Sequence, residues 1–385
     1  MNVLQIISYY HPEHKFGGPP LKVHSLSKGL AGRGHSVKVL TFDSSRRQRR
    51  DAVTYEGVEV QYLPWMGWGL RQWPRERELI AGAVARSDIV HCYGLYNALC
   101  PVAGKIAGEG NRPFLIEPLG MYEPKARNRW LKSVYNHWVT RRIFRRAAGV
   151  VAASAAEREE LKGAVPDTKL YLRRNGIDVE AFRHLPSGAE FRRKLGMSEG
   201  EGIILFLGRI SPVKNLEGLV RAFGQAGLKE RTLVLAGPEG EPDYSAKLRE
   251  TIRELNLDGK VIFAGALFDA EKLAALAAAE VFVMPSLSES FGNAAAEAVA
   301  AGVPVLLTET CGVAPMIHER AGMAVPLGTE ALAGGLRAMM DAEQRAVLTR
   351  RRDEVMRELS WEEPLNQTER IYAKICKDHD KKELE

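Results

Sequence analysis

Glu289 and Glu297 are separated by seven residues in the stretch Glu289-Ser-Phe-Gly-Asn-Ala-Ala-Ala-Glu297. A carboxylate is a hydrogen-bond acceptor, and a vicinal diol offers two donors to one carboxylate. The pair therefore suits sugar hydroxyls. Between the two acids a glycine precedes an alanine-rich run that reads as the start of a helix. Such a start presents unpaired backbone N–H groups and the positive end of the helix dipole, which together form an anion site. An anion flanked by two diol acceptors describes a nucleotide sugar: diphosphate in the middle, ribose at one end, sugar at the other. The blander alternative, two solvated helix charges, fits Glu297 poorly. That residue lies among alanines and a valine, where a lone carboxylate would be costly.

A second constellation supplies the opposite charge. Gly208-Arg-Ile-Ser-Pro-Val-Lys-Asn215 places the Arg209 guanidinium and the Lys214 ammonium five residues apart. The stretch is not a phosphate-binding loop of the G-x-x-x-x-G-K-[ST] type, because its glycine and hydroxyl residues fall elsewhere. Its expected task is charge neutralisation. A sugar–nucleotide diphosphate carries about −2 and approaches about −3 as it departs, so the departure needs positive charge. Two cations plus roughly +0.5 from a helix end near Asn293 come close to that without a metal. No Mg²⁺ site is expected either. Earlier in the chain, Gly17-Gly-Pro-Pro20 opens a helical pattern; its glycines permit close backbone approach to a ligand, and Pro20 suits a first helical turn. No G-x-G-x-x-G follows the first strand pattern, which disfavours a nicotinamide or flavin dinucleotide.

These residues require a scaffold that carries them on loops at one edge. Short apolar runs alternate with longer helical patterns along the whole chain. The expected strands are Val3–Ser8, Ser36–Thr41, Val58–Leu63, Asp88–His91, Phe114–Glu117 and Val150–Ala153, then Ile203–Leu207, Leu233–Ala236, Val261–Ala264, Val281–Pro285 and Val303–Leu307. Two βα-repeating series imply an α/β protein of two doubly wound Rossmann-like domains facing across a cleft. The turn signal Asn175-Gly176 sets the expected division at 1–174 and 175–360, with 361–385 as a C-terminal helix frayed over 376–385. Ligands in such folds lie beyond the carboxyl ends of the strands, where Gly17, Gly18, Arg209, Lys214 and the Glu289–Glu297 stretch all fall.

Composition narrows the class. At 385 residues, 45% apolar and 26% charged, the chain is a globular protein large enough for two domains. No apolar run reaches the ~18–20 residues of a membrane helix, and Met1-Asn-Val-Leu-Gln-Ile-Ile reads as a strand rather than a secretory leader. Cys92, Cys100, Cys311 and Cys376 are scattered without metal or disulfide spacing, as expected for a reducing cytoplasm. The net charge of +6 is modest, but Lys125 to Arg146 holds eight basic residues and no acid. Trp130, Leu131, Val134, Tyr135, Trp138, Val139, Ile143 and Phe144 recur within it at helical spacing. The plain reading is one apolar core stripe with solvated charges. The reading favoured here adds an anionic membrane surface against the basic edge, joined by Arg46-Arg-Gln-Arg-Arg50. No nucleic-acid recognition module accompanies these charges.

With these motifs in order, the chain resembles a retaining family-4 glycosyltransferase of the GT-B fold nearly end to end. Gly17-Gly18, Gly208-Arg209 to Lys214-Asn215, Gly237-Pro238, Gly265-Ala-Leu267 and Pro285 to Glu297 carry the likeness. The closing Ser360-Trp361 and the helix beyond resemble the family's terminal segment, which crosses back onto the N-terminal domain. The resemblance implies that Arg209 and Lys214 hold the diphosphate, Glu289 meets the donor sugar and Glu297 the ribose. It implies that the backbone of Phe291, Gly292, Asn293 and Ala294 meets the phosphates or sugar, and that the turn ending at Leu267 frames the base. It implies no tightly bound cofactor, a nucleotide-diphosphate sugar as donor, and a cell-surface polysaccharide or lipid-linked glycan as acceptor. One departure stands out. Many members have a histidine before the glycine of Phe114-Leu-Ile-Glu-Pro-Leu-Gly-Met121, where this chain has Leu119. His91 is then a histidine to place, with a structural role at a strand end expected over a site role. Three rivals remain: a nucleotide-sugar epimerase on this scaffold, a glycosidase using Glu289 and Glu297 as its carboxylate pair, and a catalytically silent binding protein.

Overall fold

The structure is a computed structural model that describes residues 1–10, 18–43, 51–67, 72–123, 129–198 and 200–384. Gly17, the basic cluster 46–50, Lys125 and Arg127 lie outside the described residues. The chain forms two compact units: Met1–Gly176 together with Trp361–Glu385, and Ile177–Ser360.

The first unit contains β1 (Asn2–Ile7), β2 (Ser36–Phe42), β3 (Val53–Tyr55), β4 (Val58–Leu63), β5 (Trp65–Met66), β6 (Trp73–Pro74), β7 (Ile89–Tyr93), β8 (Phe114–Glu117), β9 (Gly149–Ala152) and β10 (Leu170–Leu172). Eight of them form one sheet in the order β10-β9-β8-β7-β1-β2-β4-β3, parallel except for the β3–β4 hairpin. β5 and β6 pair separately as a small antiparallel ribbon. Along β1 the side chains alternate between two apolar clusters: Leu4 and Ile6 enter one, Val3 and Ile7 the other. A parallel strand covered on both faces must be apolar throughout, which is why these segments read as continuous runs. The C-terminal helix Glu362–Leu384 belongs to this unit and continues through the stretch expected to fray. Its Leu365, Ile371, Tyr372 and Ile375 join Val23, Leu26 and Leu30 of the Gly18–Gly32 helix. Gly29 permits that contact, since a Cβ there would sit 2.6 Å from Leu365 Cδ1.

The second unit contains β11 (Gly202–Leu207), β12 (Arg231–Ala236), β13 (Val261–Gly265), β14 (Val281–Met284), β15 (Val305–Thr308) and β16 (Gly322–Val325). All are parallel, in the order β13-β12-β11-β14-β15-β16. This is the doubly wound Rossmann arrangement. The sheet grows one way from β11 and then the other way from β14, so the loops after these two strands diverge and leave a crevice between them. Among the described residues no helix is long and apolar enough to cross a membrane.

Candidate active site

The crevice of the second unit is built by glycines. A Cβ on Gly237 would lie 1.8 Å from the Gly208 carbonyl oxygen, so only glycine lets the ends of β11 and β12 approach this closely. Beyond that contact the loops are laced together. Ile210 N donates to Pro238 O at 3.0 Å, Gly240 N donates to Ile210 O at 3.1 Å, and Gly237 N donates to Gly265 O at 2.7 Å. A Cβ on Gly240 would stand 2.8 Å from Arg209 Cδ, so this glycine gives the arginine stem its room. Arg209 itself is exposed. Leu267, two residues past β13, is half-buried against the core.

The chain then turns through Pro212–Lys214, and Asn215 adopts a left-handed conformation (φ 52°) that starts the helix Leu216–Ala226. The Tyr244 hydroxyl accepts from Leu216 N at 3.0 Å and from Glu217 N at 3.4 Å, supplying the cap that Asn215 does not. Lys214 is thereby projected across the switch point, where its ammonium donates to Glu289 Oε2. Leu287 N donates to Val213 O at 2.8 Å and ties the same two loops by backbone.

The segment after β14 runs beside the segment after β15. Glu289 N donates to Thr310 O at 3.2 Å, Gly312 N to Glu289 O at 3.0 Å, and Val313 N to Phe291 O at 2.7 Å. Phe291 anchors the segment in the core. Gly292 has φ 108°, and a Cβ there would press 3.1 Å from Val313 Cγ1 and 3.3 Å from Met284 Sδ. The helix Asn293–Ala300 starts at once, and its N-cap residue, Gly292, has no side chain to cap it. Ala295 N and Ala296 N both donate to Gly292 O at 3.1 Å. Nearby Cys311 is buried, and burial pushes its thiol up to about 12, which removes it as a nucleophile at neutral pH.

Glu297 meets a partner that the sequence did not single out. Lys272 Nζ, from the helix Asp269–Ala278, donates to Glu297 Oε2 at 3.0 Å. The expected need of this carboxylate for compensation is real, and a lysine 25 positions earlier meets it. Each glutamate is thus paired with its own lysine.

In the first unit Gly18 opens the helix Gly18–Gly32. Leu119 has φ 60° and Gly120 φ 72°, directly after β8. A left-handed bulky residue is strained. Glu157 holds the turn, accepting from Gly120 N at 2.5 Å and from Ala153 N at 2.8 Å. Beneath it lies a buried charge cluster. Lys22 and Arg173 both donate to Glu117, Arg173 at 2.5 Å. Burial opposes ionisation of Glu117, yet Arg173 and Lys22 together hold its carboxyl at about 2. His91 is structural, as expected: Nδ1 shares hydrogen bonds with the Tyr372 hydroxyl at 2.8 Å and the Tyr93 hydroxyl at 3.0 Å, and the ring stacks on Tyr93. Burial pulls its pKa down to about 3, so the 3.8 Å approach of Nε2 to Glu117 is that of a neutral ring.

The segment from Arg129 departs from a single core stripe. It runs as α-helix over Arg129–Tyr135, widens to a π turn over Asn136–Thr140, and resumes over Arg141–Arg146. The extra residue per turn shifts the helical phase. Ile143 and Phe144 are buried, and Tyr135 and Val139 pack against the same cluster. Trp130 (69% exposed), Leu131 (44%), Val134 (47%) and Trp138 (72%) face outward instead. Arg141, Arg142, Arg145 and Arg146 are exposed beside them.

A family model described as glycosyl transferases group 1 matches residues 188–354, within the second unit. Another, described as a glycosyl transferase 4-like domain, matches residues 17–176, within the first. The chain belongs to the group 1 glycosyltransferases. This glycosyltransferase is 25% identical over 392 residues to an uncharacterized glycosyltransferase of Methanocaldococcus jannaschii, covering 96% of this chain and 97% of the other. It is 27% identical to the D-inositol 3-phosphate glycosyltransferase of Kineococcus radiotolerans, with 94% and 91% covered. Among solved structures it superimposes on sucrose-phosphate synthase from Thermosynechococcus elongatus with a TM-score of 0.76 at 23% identity, covering 97% and 98%. It superimposes on Anabaena HepE in complex with UDP and glucose with a TM-score of 0.75 at 21% identity, covering 97% and 99%. The fold is therefore GT-B, with two Rossmann-like domains.

Proposed function

We propose that this glycosyltransferase moves a hexose-type sugar from a nucleotide-diphosphate sugar to an acceptor hydroxyl with retention of anomeric configuration. The observation that carries the reading is the switch point of the second unit. There Lys214, Glu289 and the helix start at Gly292 are held together by backbone ties, with Arg209 on the same loop as Lys214. In the reaction the acceptor oxygen bonds to the anomeric carbon on the face the diphosphate leaves. The carbon–oxygen bond to the diphosphate breaks, its electron pair goes to the leaving group, and the hydroxyl proton passes to a phosphate oxygen. Arg209, Lys214 and the helix end at Asn293 and Ala294 meet the charge that grows there. Their sum matches the leaving group, so the reading assigns no metal to it. Glu289 accepts from hydroxyls of the sugar and Glu297 from the ribose, with Leu267 beside the base.

A thermal-shift panel of nucleoside diphosphates and their sugar conjugates finds the donor, because a ligand of the native state raises its melting temperature. Product NMR with that donor and a glycan acceptor then reads the linkage. An inverted linkage overturns the retention. Donor consumed without acceptor would indicate an epimerase, and donor bound without any transfer a silent binding protein.

The acceptor we infer is a cell-surface polysaccharide or lipid-linked intermediate, met at the cytoplasmic face of a membrane. The support is the outward Trp130, Leu131, Val134 and Trp138 beside four exposed arginines. Exposed indoles favour the lipid interface, and clustered arginines favour anionic headgroups. Co-sedimentation with phosphatidylcholine vesicles, with and without phosphatidylglycerol, tests it. Binding should require the anionic lipid, weaken with salt and drop several-fold in Trp130→Ala/Trp138→Ala. Binding indifferent to lipid charge and salt overturns it.

A further inference from the structure

Lys272 and Glu297 stand on two helices that follow different strands, β13 and β14, yet their charged groups meet at 3.0 Å. Both helices bury alanines in one apolar cluster on the same face of the sheet, which fixes the distance between them. The pair is partly shielded: the lysine side chain is 25% exposed and the glutamate 12%. Lys272 Nζ also lies 5.8 Å from the centroid of the buried Phe182 ring, a second restraint on the ammonium. Only Oε2 of Glu297 is engaged by Lys272.

The chemistry of a hydroxyl decides what such a pair is good for. A carboxylate only accepts, and an ammonium only donates through three N–H bonds. A sugar hydroxyl does both. A carboxylate and an ammonium in contact therefore match one hydroxyl on both counts, as neither does alone. We propose that Lys272 completes the ribose site: it orients Glu297 and donates to the oxygen of the ribose hydroxyl whose proton Glu297 accepts. The site then distinguishes ribonucleotides from their deoxy counterparts by two charged contacts rather than one. This inference rests on the assignment of Glu297 to the ribose.

The test uses the intact protein and calorimetric affinities. The tightest binder among UDP, ADP, GDP and CDP is compared with its 2′-deoxy and 3′-deoxy forms. A site built to hydrogen-bond a hydroxyl rejects the analogue lacking it, so wild type should prefer the ribonucleotide to at least one deoxy form by about tenfold or more. In Lys272→Met that preference should collapse to less than about threefold, through loss of ribonucleotide affinity with deoxy affinity nearly constant. Lys272→Arg, which keeps the charge, should retain most of it. Melting temperatures establish that each variant is folded. A bridge that merely joined two helices would shift the melting temperature and leave the preference intact. An unchanged preference in folded Lys272→Met therefore overturns the inference. Glu297→Gln separates the two layers. If it loses the preference while Lys272→Met keeps it, only the role of Lys272 falls. If Glu297→Gln also keeps it, the ribose assignment falls, and the inference with it.

Discussion

Replacing Lys214 by Met removes one positive charge at the switch point while keeping the length of the side chain. Its ammonium is held by Glu289, and the two side chains are 18% and 21% exposed. If the departing diphosphate gains about one unit of negative charge, the added interaction at ~4 Å is about 4 kcal/mol at an effective dielectric of ~20. Partial exposure weakens it, and half that value is a reasonable floor. Since ~1.4 kcal/mol is a factor of ten, the rate of transfer should fall by about 30- to 1000-fold. Donor affinity should fall less, because the bound donor has not yet developed the extra charge. The variant also leaves Glu289 without its cation, so Lys214→Met is best measured again with Glu289→Gln present. Single-turnover transfer gives the chemical step, and calorimetry gives the donor Kd. Equal losses in rate and affinity, in both backgrounds, would refute the leaving-group role.

Gly237→Ala should lower the melting temperature by at least about 6 °C, since its Cβ would meet the Gly208 carbonyl at 1.8 Å and the required backbone shift costs more than about 3 kcal/mol; an unshifted melting curve would contradict the close approach. His91 should impose an acid limb on stability. Its pKa falls from the ordinary 6.5 to about 3 on burial, so between those values the unfolded chain binds a proton that the folded chain does not. Stability present above pH 6.5 is then lost toward pH 3, by up to ~1.4 kcal/mol per pH unit. His91→Gln should flatten that limb in urea titrations, and an unaltered slope would exclude His91 as its source.

The alternation of strand and helix was legible because a buried parallel strand admits little but apolar residues. Ile203–Leu207 and Val281–Met284 are runs of that kind. β3 and β10 escaped because three residues make no pattern, and β3 is exposed throughout. β16 begins at Gly322, whose Cβ would sit 1.9 Å from Val305 O, so packing rather than propensity places that strand. In the site, Glu289 and Lys214 were readable by charge and by position at strand ends. Lys272 was not, because its meeting with Glu297 depends on how two helices settle on a shared core. The outward tryptophans were hidden for another reason. At about 100° per residue Trp130, Val134, Trp138 and Leu131 share one apolar arc that runs on into Tyr135 and Val139, so spacing alone does not separate the outward part from the core stripe. The contacts of Lys22, Glu117 and Arg173 span up to 95 positions and leave no local signal.

The polypeptide leaves the first unit after Gly176 and re-enters it at Trp361. Those two points touch: a Cβ on Gly176 would be 2.8 Å from the Trp361 Cα. Immediately inside the second unit, Ile177 N donates to Leu359 O at 2.8 Å, so its own ends also lie side by side. The second unit is therefore an insert spliced between adjacent ends, like a bead threaded on a closed loop. Its excision would leave a gap that a very short bridge of residues could close. A lineage could exchange this cassette without cutting the frame that holds it.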